Sequence, residues 1–172
     1  MMATRRRLRG IEAVTHYLRD HGVSHDVLEH APTYSAPEKA TVTGARVGEV
    51  AKTLLLRDGD GYRVAVIPAA RRLDLARLRR ALGGSHHLRL ATEEEIEQDF
   101  PAFEVGALPP LATLLPAPEV VDVHLLEQER VICGGGDHRH SVRLGVRDLL
   151  RLTEPRIADI CRPPYGRNGP RG

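Results

Sequence analysis

The strongest constraint on the fold is a hairpin written into residues 50–68, VAKTLLLRDGDGYRVAVIP. Asp58-Gly59-Asp60-Gly61 separates two apolar runs, and a tight turn of this composition joins neighbouring antiparallel strands. The first run is predicted as a strand over about 50–57. The return strand is predicted from Tyr62 to Ile67, ended by Pro68. Alternation places Val50, Lys52, Leu54 and Leu56 on one face and Ala51, Thr53 and Leu55 on the other. Three large apolar residues share the face of Lys52, so that face is expected to be the buried one. A strongly hydrated ammonium is costly there unless it is paired or reaches a cleft. Lys52 is therefore either a strand-end lysine whose stem snorkels to water or a lysine at the floor of a binding site.

The segments flanking the hairpin carry their own start and stop signals. Ile11, Val14, Leu18 and His21 form one helical stripe, and Gly22 follows as a stop, which predicts a helix over 9–21. HDVLE at 25–29 reads as a short strand. Ser35 with Glu38 is a capping box, with Pro37 in the first turn, so a short helix is predicted from about Ala36 to Thr43, ending at Gly44. Asp74 caps a helix carrying Leu75, Leu78 and Leu82, closed by Gly83-Gly84. His87 to Ala91 reads as a brief strand, and Thr92 with Glu95 forms a second capping box opening a helix of about two turns. Strands are predicted at 119–125, 130–134 and 141–146, and a short helix at 148–152. The result is a mixed α/β domain with a mostly antiparallel centre.

Composition limits what such a domain can do. At 172 residues, 41% of them hydrophobic, the chain is long enough for one domain with a sizeable core. No apolar run approaches the ~20 residues of a membrane span, and MMATRRRLRG lacks the apolar core of a secretory signal. Cys133 and Cys161 form neither a CxxC pair nor a zinc pattern, so free thiols in a reducing cytoplasm are expected. A net charge of +2 argues against a constitutive nucleic-acid coat, though not against local basic patches. With no Trp and 3% aromatic residues, a base-stacking platform is not expected. Arg71, Arg72, Arg77, Arg79 and Arg80 cluster around one helix, as a solvated face or as a phosphate-contacting surface.

Three constellations carry possible chemistry. In the long Pro-rich stretch 101–118, Gly106-Ala107-Leu108-Pro109-Pro110 is a G-x-x-x-P loop. Gly106 permits positive φ and close approach to a ligand, and the prolines stiffen the far side. The N–H groups of Gly106, Ala107 and Leu108 are candidates to face an oxyanion; an ordinary turn is the competing reading. Gly134-Gly135-Gly136 either lines a cleft or makes a plain turn. His138 and His140 share a face of an extended segment beside Asp137, a pair suited to a metal, with His86, His87 or His124 as a third ligand. The spacing matches no zinc signature, so no metal is expected. There is no G-x-S-x-G elbow and no P-loop.

Taken in order, PTYSAPE, VAKTLLL, VIPAARRLDLARLRRALG, FEVGALPP, VVDVHLL and VICGGGDH resemble the YbaK family of free-standing aminoacyl-tRNA deacylases. That family is akin to the editing domain inserted in prolyl-tRNA synthetase. The resemblance covers roughly residues 10–160. It implies a mixed, mostly antiparallel, barrel-like β-sheet surrounded by helices. It also implies a single editing domain over 10–161, between a flexible basic N-terminus at 1–9 and a disordered tail at 162–172. The family lysine falls on Lys52, its G-x-x-x-P loop on Gly106 to Pro110, its early aromatic on Tyr34 and its glycine-rich segment on Gly134 to Gly136. Lys52, Gly106, Ala107 and Leu108 are thereby expected to be catalytic. Tyr34, Pro109, Pro110, Gly134, Gly135, Gly136, His138 and Ser141 are expected to bind substrate. Some relatives that clear cysteine have a serine where Gly134 stands and an acidic residue where Ser141 stands, and DHRH is unlike their basic-glycine run. These departures point to a different amino acid.

Hydrolysis of an aminoacyl ester needs a held substrate, a placed water and an oxyanion site. Lys52 is a poor base, since an unperturbed lysine titrates near ~10.4; it suits the phosphate of the 3′-terminal nucleotide or the ester region. The resemblance implies that the terminal hydroxyl of the tRNA helps activate the water, with no cofactor or metal. The implied partners are a mischarged tRNA and, in some settings, a synthetase. Two other functions compete: a catalytically silent module of the same fold that binds a tRNA end, nucleotide or synthetase, and a metal-dependent hydrolase using His138 and His140.

Overall fold

The computed structural model describes residues 7–84 and 87–163. His86, most of the basic N-terminal stretch and most of the tail from Arg162 lie outside them. The hairpin forms as β2 (Ala51–Asp58) and β3 (Gly61–Pro68), paired from Ala51↔Pro68 to Asp58↔Gly61. Gly59 sits in the turn at φ +60°, a backbone angle that glycine adopts without a Cβ clash.

Before the hairpin come α1 (Gly10–Asp20), β1 (His25–Glu29) and α2 (Ala36–Thr43). After it come α3 (Leu75–Ala81), β4 (Leu88–Leu90), α4 (Glu93–Asp99), β5 (Glu119–Asp122), β6 (Arg130–Gly134), β7 (His140–Gly145), α5 (Val146–Thr153) and β8 (Arg156–Ala158). The predicted cap at Ser35 forms in part: its hydroxyl accepts from Glu38 N–H at 3.2 Å, but the Glu38 carboxylate accepts the Tyr34 N–H rather than that of Ser35, so the box is not reciprocal. Gly44 ends α2 at φ +67°, and Thr92 and Glu95 close a reciprocal box on α4.

The strands form two sheets. One has the order β1-β7-β6, all antiparallel. The other has the order β4-β2-β3-β5-β8, antiparallel up to β3, then parallel through β5 and β8. A parallel bridge between Val50 and Ile132 joins the sheets just before β2. The arrangement is mostly antiparallel and flanked by helices, but it is two joined sheets and does not close into a barrel.

The five-stranded sheet is covered on both faces. Ala51, Leu55, Val64, Val66 and Val121 belong to the main core with α1, α5 and the three-stranded sheet. Leu56, Ala65, Ile67 and Val120 belong to a second cluster with Leu78 of α3, and Leu54 packs against it. Alternation along β2 therefore does not single out a buried face. Leu54 and Leu56 pack as expected, yet Lys52 on their side is exposed near the strand's start.

Two elements differ from expectation. The strand predicted over 119–125 stops at Asp122, because that carboxylate accepts the His124 N–H at 3.0 Å and turns the chain into a 3-10 helix over Val123–Glu127. The short β8 has no alternating apolar signal and forms because β5 offers a free parallel edge. Both cysteines are free and buried, Cys133 in the main core and Cys161 in the second cluster.

Candidate active site

The start of β2, the entry to α2, the 104–111 loop and the end of β6 meet around a cavity of about 460 Å³. β2 and the residue before it contribute Val50, Ala51, Lys52 and Thr53. The segment leading into α2 contributes Thr33, Tyr34, Ser35 and Ala36, and the helix contributes Lys39. The loop contributes Val105, Gly106 and Leu108. Gly134 and His138 form the far wall, with Ala69 and Glu93 completing the lining.

Glycine at two positions shapes this wall. A Cβ on Gly134 would lie 2.5 Å from the Leu108 carbonyl oxygen and 2.7 Å from that of Ala107, so only glycine lets the loop lie against β6. Gly106 has φ +85°, which leaves the loop its sharp turn. The loop is then stitched in place: Gly136 N–H donates to Ala107 C=O, and Glu104 N–H donates to Gly136 C=O, each at 2.9 Å. Gly136 itself packs against Gly10, where a Cβ would come within 2.7 Å of backbone.

The expected site residues divide cleanly. Lys52, Tyr34, Gly106, Leu108, Gly134 and His138 all line the cavity. Ala107, Pro109 and Pro110 are buried behind the loop surface, and Gly135 and Gly136 act in the stitching. Gly135 N–H donates to His140 C=O at 3.2 Å. Ser141 is fully buried and bonded to His30 Nε2 at 2.8 Å, away from the cavity wall. The Ala107 N–H, expected to face an oxyanion, instead donates to Glu104 C=O at 3.0 Å within the loop's own turn. Among the described residues, the N–H groups of Gly106 and Leu108 have no protein acceptor.

The DHRH segment has a structural explanation. Asp137 accepts His140 Nδ1 at 2.7 Å, Arg139 N–H at 3.0 Å and Ile11 N–H at 3.3 Å, which ties the first turn of α1 to this segment. Burial alone would raise the Asp137 pKa, but these bonds hold it below the usual carboxylate range. His138 turns the other way, with its ring 5.4 Å from that of Tyr34 and Nε2 3.6 Å from Glu104. The two histidines thus do not converge on one ligand position. Among the described residues, the group whose donor atoms do converge is Asp122, His124 and Asp159. There Asp122 is occupied by the Ile160 and His124 N–H groups and by His124 Nδ1.

Lys39, Thr53 and Thr33 line the cavity unforeseen. Lys39 follows the capping box as an apparent surface residue of a short helix. Yet it is half-buried, and desolvation lowers its pKa, partly offset by the Cys133 sulfur nearby. The Cys133 thiol is pushed up to about 12, chiefly by burial, and stays neutral. Thr53 Oγ1 is buried with no hydrogen-bond partner among the described residues. A capping signal one turn before a lysine was the available hint for Lys39; nothing in the sequence marked Thr53.

The aminoacyl-tRNA editing domain model matches residues 30–152, which include every residue lining this cavity. The chain belongs to that family. Its fold is similar to the crystal structure of a candidate trans-editing enzyme for prolyl tRNA synthetase, at 32% identity and a TM-score of 0.80, covering 89% of this chain and 97% of the other. It is also similar to a hypothetical protein of known structure at 29% identity and a TM-score of 0.79, covering 88% of this chain and all of the other. A candidate signal transduction protein from Marinobacter aquaeolei shares the fold at 22% identity and a TM-score of 0.68, with 31% of that longer chain covered. The editing domain is an aminoacyl-tRNA deacylase fold with an aminoacyl-tRNA substrate, and its cavity is the place to seek the chemistry. No helix among the described residues is long and apolar enough to cross a membrane.

Proposed function

We propose that this editing domain acts in trans in the cytoplasm, hydrolysing the ester of a mischarged tRNA without a metal, in the cavity bounded by Lys52, the Gly106 loop and Gly134. The observation that carries this reading is the meeting of an exposed ammonium, two N–H groups without protein acceptors and a close-packed glycine around one cavity. Lys52 holds the phosphate of the 3′-terminal nucleotide at the mouth. The Gly106 and Leu108 N–H groups receive the carbonyl oxygen as it gains charge in the transition state. Tyr34, four-fifths exposed at 79% and beside His138, offers an apolar ring face to the terminal base. Among the described lining residues no hydroxyl is hydrogen-bonded to a basic side chain, which leaves activation of the water to the substrate's own vicinal hydroxyl. The likeness to the candidate prolyl trans-editing enzyme supports tRNAs charged by that synthetase as the first substrates to assay, with the synthetase as a candidate partner.

The experiment is a single-turnover deacylation screen over a panel of mischarged tRNAs, run with and without chelator. Hydrolysis of one or more esters, unaffected by chelator, is expected. Binding of the tRNA end with no hydrolysis of any ester would replace this reading with that of a silent binding module.

A further inference from the structure

The cavity holds two lysines in different settings, and only the exposed one belongs to the mechanism above. Lys39 reaches in from α2 and is half-buried, near the buried Cys133 at the end of β6. Among the described residues no carboxylate pairs with its ammonium. Cys133 is neutral, and burial pushes Glu119, the acid that Cys133 also senses, up to about 8, so it too is protonated at neutral pH. Among the described residues lining the cavity the one carboxylate is that of Glu93, which stands exposed. An ammonium held away from water without a counter-charge is costly, and a ligand carrying that counter-charge relieves the cost.

We propose that Lys39 is the specificity-determining residue of the cavity, and that its ammonium receives the side-chain carboxylate of an acidic aminoacyl group, aspartyl or glutamyl. The inference rests on the editing function proposed above and names the substrate class of the same site. The charges of the lining match those of such a substrate. Lys52 at the mouth faces the nucleotide phosphate, Glu93 at the rim faces the α-ammonium, and Lys39 faces the side-chain carboxylate. A neutral aminoacyl group satisfies the first two and leaves Lys39 unpaired. The unpartnered Thr53 hydroxyl in the same lining can donate to a carboxylate oxygen as well.

The test compares aspartyl, asparaginyl and alanyl esters on one tRNA, with wild type and Lys39→Met, in single-turnover deacylation. Wild type is expected to favour the aspartyl over the asparaginyl ester by about ten- to a hundred-fold, the range of a charge-assisted contact, and Lys39→Met to lose that ratio. A wild type blind to the charge, or a folded Lys39→Met protein that keeps the ratio, overturns the assignment. A second arm measures binding of the non-hydrolysable 3′-aspartylamido and 3′-alanylamido adenosines by calorimetry. If esters are cleaved without charge preference, Lys39 loses its role and the editing function stands. If no ester is cleaved but the aspartylamido analogue binds more tightly in a Lys39-dependent way, the editing function falls and the subsite stands. Equal binding of the two analogues removes the subsite.

Discussion

Glu119 offers a direct measure of how dry the layer behind the cavity is. It opens β5, is 8% exposed, and one carboxyl oxygen has no hydrogen-bond partner among the described residues. Burial raises its pKa from 4.5 to about 8, with a contact to Thr153 offsetting part of the effect. An acid whose folded pKa is raised gives up stability as pH rises, because the unfolded chain releases the proton first. The protonated state is fully favourable below about pH 4.5, and the loss grows until the folded-state pKa near 8 is passed. At pH 7 the interval is about 2.5 units, and at about 1.4 kcal/mol per unit the cost is about 3 kcal/mol. That is a large share of the 5–15 kcal/mol typical of a domain. Glu119→Gln keeps the shape and removes the titration. Urea unfolding of both proteins at pH 5, 6, 7 and 8 measures the difference, which cancels the histidines common to both. The variant's advantage should grow by about 1.4 kcal/mol per unit between pH 5 and 7. A difference that stays flat across that interval would show Glu119 ionised in the folded state and refute the reasoning. It would also place a buried negative charge within reach of Cys133.

Other perturbations address the site. Lys52→Ala should weaken tRNA binding and turnover together, by about ten-fold or more, because it removes a charge-assisted phosphate contact; Gly106→Val should chiefly lower the single-turnover rate, because its strained backbone shifts donors used in the transition state. Wild-type turnover by a folded Lys52→Ala protein would take the lysine out of the mechanism. Gly134→Ala should destabilise the fold by about 1–3 kcal/mol as the new methyl displaces the loop, and lower the rate with it; an unchanged melting temperature would contradict the close approach. Among the arginines, Arg77 is committed to Asp159 at 2.7 Å, whereas Arg72 and Arg80 are exposed. Replacing Arg72 and Arg80 by alanine should reduce the slope of log affinity against log salt by about 0.7–0.9 per lost phosphate contact, while Arg77→Ala should leave the slope and lower stability.

The elements most legible in the sequence were those with local punctuation. Ser35 and Glu38, Thr92 and Glu95, and the Asp58–Gly61 turn each specify their structure within four residues. The loop and the glycine segment were legible as glycine patterns, but their mutual contact was not, since Gly134 and Leu108 meet only through tertiary packing. The same holds for Ala107, whose N–H is claimed by Glu104 in a turn that leaves no signature beyond Gly106. Ser141 alternates correctly for a strand residue, yet which face meets the cavity depends on where β1 pairs, and His30 takes its hydroxyl. Lys39 was hidden for a similar reason. A lysine on a short helix reads as solvated until the fold turns it into the cavity, near Cys133.

The bridge from Val50 to Ile132 has a consequence for synthesis and folding. One side of the cavity is made of residues 33–39 and 50–53, and the other of 105–108 and 134–138. Contacts so far apart in sequence close late, because the entropy of the intervening loop opposes them. β6 is held in turn by β7, and β7 by β1, so the wall carrying Gly134 is complete only when residue 145 can pair with residue 130. A nascent chain therefore carries its hairpin long before it carries a site. The domain cannot handle aminoacyl-tRNA while it is still being made from it.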